Sequence, residues 1–384
     1  MKLLICHRSF PGQFRWLLEE FERTGFEVIF LCKEKTDWLI PRNCKVIETD
    51  KVIETTAQLS IPGEDFAIEF MHASNWLKKQ NWIPDVILAH SGWGAWRSKN
   101  IFPSSKFLLY CEWWYNSTNC QYMGFSASDV NNVFDIVNQG TYQAIKASDF
   151  AFTPTIWQLS QFPSELKHCI NVIEDGFPEN VFNTKGIDND TKTNELNLIY
   201  TARSLEYVRG VDRLKFVVSY CEQEKIKCRI TIVADDRRVY DSAQARNEIE
   251  STIAYLKKHP LVTYYEQLNY QSYLNELKKA DIHLYLSRPF VLSWSYIEST
   301  LSGSFIFSIN NNATLEKTHS NHINFANIEQ CCKSISYYSQ PEILSKLRTK
   351  KKDQVVNNKA LDELRRRHSL QNWAHRLYCE FINS

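Results

Sequence analysis

The sequence predicts an α/β fold of two Rossmann-like domains, each a parallel sheet covered by helices on both faces. Three observations carry this expectation. Short apolar strands alternate with helical segments along most of the chain. Strands such as KLLIC, VILA and IHLYL are apolar at nearly every position, as strands buried on both faces are. At 384 residues the chain is long for one core, so two domains of under about 200 residues each are expected.

Residues 2–6 read as the first strand, after which Phe14, Leu17, Leu18 and Phe21 recur at helical spacing up to Gly25, and residues 26–31 form the next strand. The turn HRSFPGQF lacks the GxGxxG of dinucleotide enzymes; Gly12 either lets a phosphate or sugar approach the backbone or closes a tight turn after Pro11. Residues 38–65 show no clear pattern. Residues 66–79 read as a helix and 85–89 as a strand running into HSGWGAW. His90 thus stands at a carboxyl end, as a structural residue or facing a ligand. After the strand at 106–110, CEWWYN sets Glu112 among Trp113, Trp114 and Tyr115. Such a cluster is either core or a platform for the apolar faces of sugars. A strand at 150–153, a helix TIWQLSQFP and the string INVIEDGFPENVF complete a first domain, 1–181.

The polar segment 182–195, rich in Asn, Asp and Thr, reads as a linker. The second domain, 196–368, opens with a strand at 196–202 and then ARSLEYVRGVDRL, in which Arg203 and Arg209 bracket a turn before a helix. Two guanidinium groups at a strand end suit a diphosphate, although a solvated turn has the same composition. Further strands at 229–234 and 262–265 alternate with helices at 242–258 and 273–279. The chain then reaches residues 281–312, a strand, loop, helix, strand unit in which Glu298 lies one turn into the helix. There it is either a surface glutamate or an acceptor for vicinal hydroxyls near the positive helix end. Ser369 is placed to cap a last helix, 369–384, with Leu370, Trp373, Leu377 and Phe381 on one stripe.

The string RPFVLSWSYIESTLSGSFIFS resembles the donor-binding segment of retaining GT-B glycosyltransferases of the GT4 type, in particular a bacterial branch that reads PFVLSWSLLEAM. Most of that family carries two glutamates eight apart, the first associated with the donor sugar and the second with the ribose. Glu298 matches the second, and Phe290 stands at the first. The branch commonly has Phe there, which implies that backbone amides of Val291, Leu292 and Ser293 carry more of the sugar and phosphate contact. FPGQFRWL is similar to FPxQFRHL, which sets Gly12 in a ligand-facing loop, and HSGWG is similar to HSGxG, whose histidine lies against the donor sugar in related enzymes. CEWWYN resembles FEFFYR and implies an acceptor role for Glu112, Trp113 and Tyr115; INVIEDGFPENVF resembles VIHDGIDTDLF, with Asp175 and Gly176 at a cleft. ARSLEYVRG resembles GRLxxEKG, and more closely RNLEPYRG, whose basic residues hold the donor phosphates, and EQLN corresponds to the GRL loop, which makes Leu268 the base-contact candidate. The resemblance implies two domains facing across a cleft, with the last helix crossing back to the first. Asp188 and Asp190 spell the DxD of metal-dependent GT-A enzymes, but no strand precedes them and no metal site is assigned.

Lys plus Arg number 45 against 44 for Asp plus Glu, which gives no reason to expect nucleic acid. The 11 cysteines show no CxxC spacing and read as reduced thiols of a cytosolic protein. No apolar run reaches the length of a membrane span. The runs at 350–352 (LysLysLys) and 365–367 (ArgArgArg) read as solvated helix faces, with peripheral association with the inner membrane left open. Together these readings imply a cytoplasmic, metal-independent, retaining glycosyltransferase without a cofactor, acting in bacterial surface polysaccharide or glycoconjugate synthesis. Its donor is a UDP- or GDP-sugar, UDP preferred, and its acceptor a carbohydrate, lipid-linked or protein hydroxyl. The alternative is a catalytically silent nucleotide-sugar-binding protein or partner subunit.

Overall fold

Thirteen parallel strands in two sheets organise the chain, seen in a computed structural model that describes residues 1–52, 65–126, 134–182, 194–236, 242–317, 321–357 and 359–382. The chain divides into two compact units. The first comprises Met1–Asn116, Ser128–Pro178 and Arg367–Ser384; the second comprises Ser117–Ala127 and Glu179–Arg366.

The first unit holds a seven-stranded sheet. Its strands are β1 (Lys2–Cys6), β2 (Glu27–Cys32), β3 (Cys44–Glu48), β4 (Val86–His90), β5 (Lys106–Tyr110), β6 (Phe150–Thr153) and β7 (Ile170–Val172), in the spatial order β3-β2-β1-β4-β5-β6-β7. All neighbours run parallel. Leu3 to Cys6 and Ile87 to Ala89 are wholly inaccessible, so these strands are buried on both faces, as their unbroken apolar runs require. Helix Arg15–Arg23 turns Trp16, Leu17, Leu18 and Phe21 to the interior. The last helix, Leu370–Ile382, also belongs to this unit: Ser369 Oγ accepts from the Asn372 amide at 3.2 Å, and Trp373 and Leu377 are fully buried. Gly176 permits that packing, because a Cβ there would lie 2.6 Å from the Trp373 Cβ.

The second unit holds β8 (Leu196–Ser204), β9 (Cys228–Asp235), β10 (Val262–Tyr265), β11 (Ile282–Tyr285), β12 (Phe305–Ile309) and β13 (His322–Phe325), in the order β10-β9-β8-β11-β12-β13. Segment Ser117–Ala127, which the sequence assigns to the first domain, belongs here. A Cβ on Gly124 would sit 3.3 Å from Ser242 Oγ and 3.8 Å from the Tyr207 ring. Most of the linker expected at 182–195, including Asp188 and Asp190, lies outside the described residues. Among the described residues no helix is long and apolar enough to cross a membrane.

The basic runs are not simple solvated faces. Lys351 is 2% exposed and donates to the carbonyls of Lys278 (2.8 Å) and Ala280 (2.5 Å), and burial pushes its pKa down to about 8. Arg367 pairs with the buried Glu174. Beside Lys351, Arg348 and Asp281 form a two-pronged pair at 2.9 Å, with side chains 6% and 1% exposed. That pair ties helix Pro341–Asn357 to the start of β11, and the Asp281 carboxylate also accepts from the Asn197 amide at 2.9 Å. Because removing one member strands a buried charge, Arg348→Met is expected to cost about 3 to 5 kcal/mol in denaturant unfolding. Arg348→Met combined with Asp281→Asn should recover part of that loss.

Candidate active site

Both sheets reverse their strand order at one place. β1 has β2 on one side and β4 on the other, and β8 has β9 and β11. The crevice beyond the carboxyl ends at such a reversal is where open α/β sheets bind ligands. The chain delivers its candidate residues to these two edges.

In the first unit, His7 follows β1, His90 ends β4 and Glu112 follows β5. Gln13 joins them: its Oε1 lies 2.5 Å from His7 Nε2, and its amide donates to Glu112 Oε1 at 2.7 Å. His7 Nδ1 lies 3.0 Å from the Ser9 amide and 2.7 Å from the Ser9 carbonyl oxygen, so both ring nitrogens are held by protein groups. Burial, with His90 nearby, pushes the His7 pKa down to about 4. Gly12, at φ +52°, touches the same ring; a Cβ there would stand 2.3 Å from His7 Cε1, so the loop requires glycine.

The Gly92 amide donates to His90 Nδ1 at 3.2 Å, and His90 Nε2 stands 3.3 Å from Glu112 Oε2. Both ring nitrogens of His90 therefore face protein groups. The Glu112 side chain, 23% exposed, is the network's outlet. The aromatic residues beside it differ from the expected platform. Trp113 is buried at 5% exposure, and Tyr115 stacks on Phe134 (centroids 4.5 Å apart) with its backbone held by Asn138. Asp175 is also buried, and accepts from the Tyr110 hydroxyl at 3.3 Å. Burial pushes the Cys6 thiol up to about 12 and raises Cys111 too, which removes both as nucleophiles.

In the second unit, Arg203 is exposed near the end of β8, and Arg209 follows in the turn closed by Gly210. Gly210 has φ +79°, and a Cβ there would sit 2.2 Å from the Leu286 carbonyl oxygen, so the turn lies against the loop after β11. The Arg209 guanidinium donates to the Val291 carbonyl at 3.3 Å and lies over the Phe290 ring, 5.2 Å from its centroid. No carboxylate among the described residues pairs with it. Arg288, not singled out from the sequence, clamps the turn. It bonds both Asp212 oxygens at 2.9 and 2.8 Å, stacks 3.6 Å above Tyr207, and donates its own amide to the Val208 carbonyl at 2.8 Å. Arg213 donates to the Leu286 carbonyl at 3.1 Å; burial pushes its pKa down to about 10.

Phe290 and Leu292 are buried, and Val291 is half-buried. The Ser293 amide, expected to meet a ligand, already donates to the Tyr285 hydroxyl at 3.0 Å. Glu298 is 2% exposed and accepts from the hydroxyls of Tyr270 (2.9 Å) and Tyr273 (2.7 Å), so it is not a surface residue. Leu268 is half-buried in the loop between β10 and helix Tyr270–Lys279. Asp235, Asp236 and Glu266 are the one group of at least three metal-capable side chains among the described residues, and Lys257 pairs with Asp236 at 2.9 Å.

His7 and Gln13 answer to the argument that singled out His90, since His7 stands immediately past a strand's carboxyl end. Tyr270 and Tyr273 carry no comparable signal, because nothing local links them to a carboxylate 25 residues or more away.

These two edges and their sheets define the class: the fold is that of the GT-B glycosyltransferases. Residues 25–182 match the model of the Glycosyl transferase family 4 group. No curated protein matches the chain in sequence. Among solved structures, the sucrose-phosphate synthase of Thermosynechococcus elongatus is similar at TM-score 0.73 and 11% identity, covering 100% of this chain and 98% of its own. Anabaena HepE in complex with UDP and glucose is similar at TM-score 0.68 and 12% identity, covering 100% of both chains. WaaG, a glycosyltransferase involved in lipopolysaccharide biosynthesis, gives TM-score 0.68 and 13% identity, again over 100% of both.

The lowered pKa of His7 sets a pH dependence. Between the usual 6.5 and about 4 the unfolded chain binds a proton that the folded chain refuses, so this contribution to stability is complete above 6.5 and is lost as pH falls towards 4. Thermal unfolding from pH 7 to 4.5 should show a steeper loss of Tm for the parent than for His7→Asn. Parallel curves would show that His7 is not the titrating group.

Proposed function

We propose that the chain is a glycosyltransferase that moves a hexose-type sugar from a nucleoside-diphosphate sugar to an acceptor hydroxyl, with retention at the anomeric carbon and without a metal ion. The observation that carries the proposal is Arg209, a guanidinium at the sheet reversal whose contacts are a carbonyl and an aromatic face. A guanidinium with no acidic partner among the described residues matches the oxygens of a diphosphate, and Arg203, exposed at the end of β8, is the second basic residue assigned to them.

As the bond to the sugar breaks, charge grows on the departing phosphate, and a preorganised guanidinium stabilises that state more than the ground state. No activated nucleophile stands at either edge among the described residues, which favours attack by the acceptor from the face the phosphate leaves, with that phosphate taking the proton. The backbone amide of half-buried Val291 and the hydroxyl of Ser293 are assigned to the sugar. Glu298 takes the ribose, Leu268 the base, and Gly12, His90 and Glu112 serve the sugar and acceptor side. The complex of Anabaena HepE with UDP and glucose supports UDP as the nucleotide. The likeness to WaaG supports a role in a bacterial surface glycoconjugate. Phe290, an apolar ring where the resembling family has a carboxylate, favours the second reading, a silent nucleotide-sugar binder.

Donor hydrolysis by purified protein separates these readings. Turnover that survives EDTA is expected; none at all would favour the silent binder, and loss with the chelator would overturn metal independence.

Steady-state kinetics test the assignment of charge. Arg209→Ala is expected to lower both kcat and kcat/KM, at a cost of about 2 to 4 kcal/mol, with Arg203→Ala in the same direction, while Glu298→Gln mainly raises the donor KM. If both arginine variants retain full turnover, or lose it only by unfolding, the donor-site assignment fails.

A further inference from the structure

Glu298 is too enclosed to take a diol as it stands. Each of its oxygens accepts from one phenol, and the residue is 2% exposed. The two phenols come from positions three apart on one helix, which puts them on a common face, with ring centroids 5.9 Å apart. Their surroundings differ. The hydroxyl of Tyr273 is desolvated, which with Glu298 beside it keeps its pKa well above the usual 10, with Thr201 on β8 offsetting part of that shift. Thr201 Oγ1 in turn lies 3.3 Å from Nε2 of the fully buried His283, which burial holds neutral with a pKa near 3. His283 and Thr201 thus stand behind Tyr273, which donates to Glu298 Oε2. Tyr270 is the first residue of its helix, directly after Asn269, whose side chain caps that helix, and the loop bearing Leu268. It occupies Oε1 from the loop side.

We propose that the Tyr270 hydroxyl is a place-holder for a ligand hydroxyl on Glu298 Oε1, and that Tyr273, backed by Thr201 and His283, is the fixed arm that positions the carboxylate. The ligand class is a vicinal diol such as a ribose, and the inference rests on reading Glu298 as the group that receives it. Tyr270 swings away when the diol arrives, exchanging one phenol–carboxylate bond for ligand bonds. A site that must first vacate a bond binds more weakly by the fraction of molecules already vacant.

Calorimetric titration with UDP and with 2′,3′-dideoxy-UDP, on the parent, Tyr270→Phe, Tyr273→Phe and Glu298→Gln, tests this. Tyr270→Phe should bind UDP about three- to ten-fold tighter, because the competing bond is gone. The gain should vanish with the dideoxy compound. Tyr273→Phe should bind UDP more weakly while unfolding at nearly the parent temperature. If Tyr270→Phe binds UDP equally well or worse while Glu298→Gln still weakens it, the place-holder is overturned and the ribose role of Glu298 stands. If Glu298→Gln leaves UDP binding unchanged and the dideoxy compound binds as tightly as UDP, the reading of Glu298 fails and this inference falls with it.

Discussion

Each sheet begins in its middle and grows first to one side and then to the other, and the chemistry assigned to this protein depends on that reversal. Where β1 parts β2 from β4, and where β8 parts β9 from β11, the loops leaving neighbouring strands diverge. A crevice opens between them with backbone and side-chain groups on both walls. Everywhere else along the carboxyl edges, successive loops fold over the same side. His7, Gly12, His90 and Glu112 meet at one such opening; Arg209 and Phe290 stand on strand–helix connections of the other, and Glu298 lies in the helix Trp294–Leu301 that follows one of them.

Within the second opening, the pairing of Arg209 with Phe290 matters more than either residue alone. A carboxylate at position 290 would orient the guanidinium and also neutralise it. A ring orients it through its quadrupole and leaves the full charge available, at about 0.5 to 2 kcal/mol of attraction. Arg288 acts differently: Asp212 compensates its charge, so its contribution is mechanical, holding the turn that carries Arg209 against the loop after β11. Two arginines thus have distinct duties, and the presence or absence of an acidic partner among the described residues tells them apart.

The buried centres of both sheets were legible because a strand covered on two faces has little choice but a run of apolar residues. The edges were not. β3 (CKVIE), β7 (INV) and β13 (HINF) each have one uncovered flank, carry polar residues, and give only half a pattern. The helices between β13 and Ser369 were legible only as solvated faces for a related reason: much of their anchoring is polar, as with Lys351 reaching carbonyls more than 70 residues away. In the candidate site, position in the chain marked Arg209, His90 and Glu298 as candidates, and the family resemblance chose between their structural and ligand-facing readings. Their supporting partners could not, since Gln13 meets Glu112 across 99 residues and Tyr270 meets Glu298 across 28. Proximity of that kind exists only after folding.

Segment Ser117–Ala127 and the last helix bear on how such a chain could be recombined. The backbone enters the second unit at Ser117, returns to the first at Ser128, leaves again at Glu179 and comes back at Arg367. Neither unit is therefore a contiguous stretch of gene. A chimera made by joining the first half of this chain to the second half of another would inherit a borrowed last helix beneath its own first sheet. It would also carry a native 117–127 segment facing foreign partners in place of Tyr207 and Ser242. Exchange of one unit between relatives by simple fusion must satisfy both mismatched surfaces at once, so point substitution in the loops after β8 and β11 is the easier change for this chain to absorb.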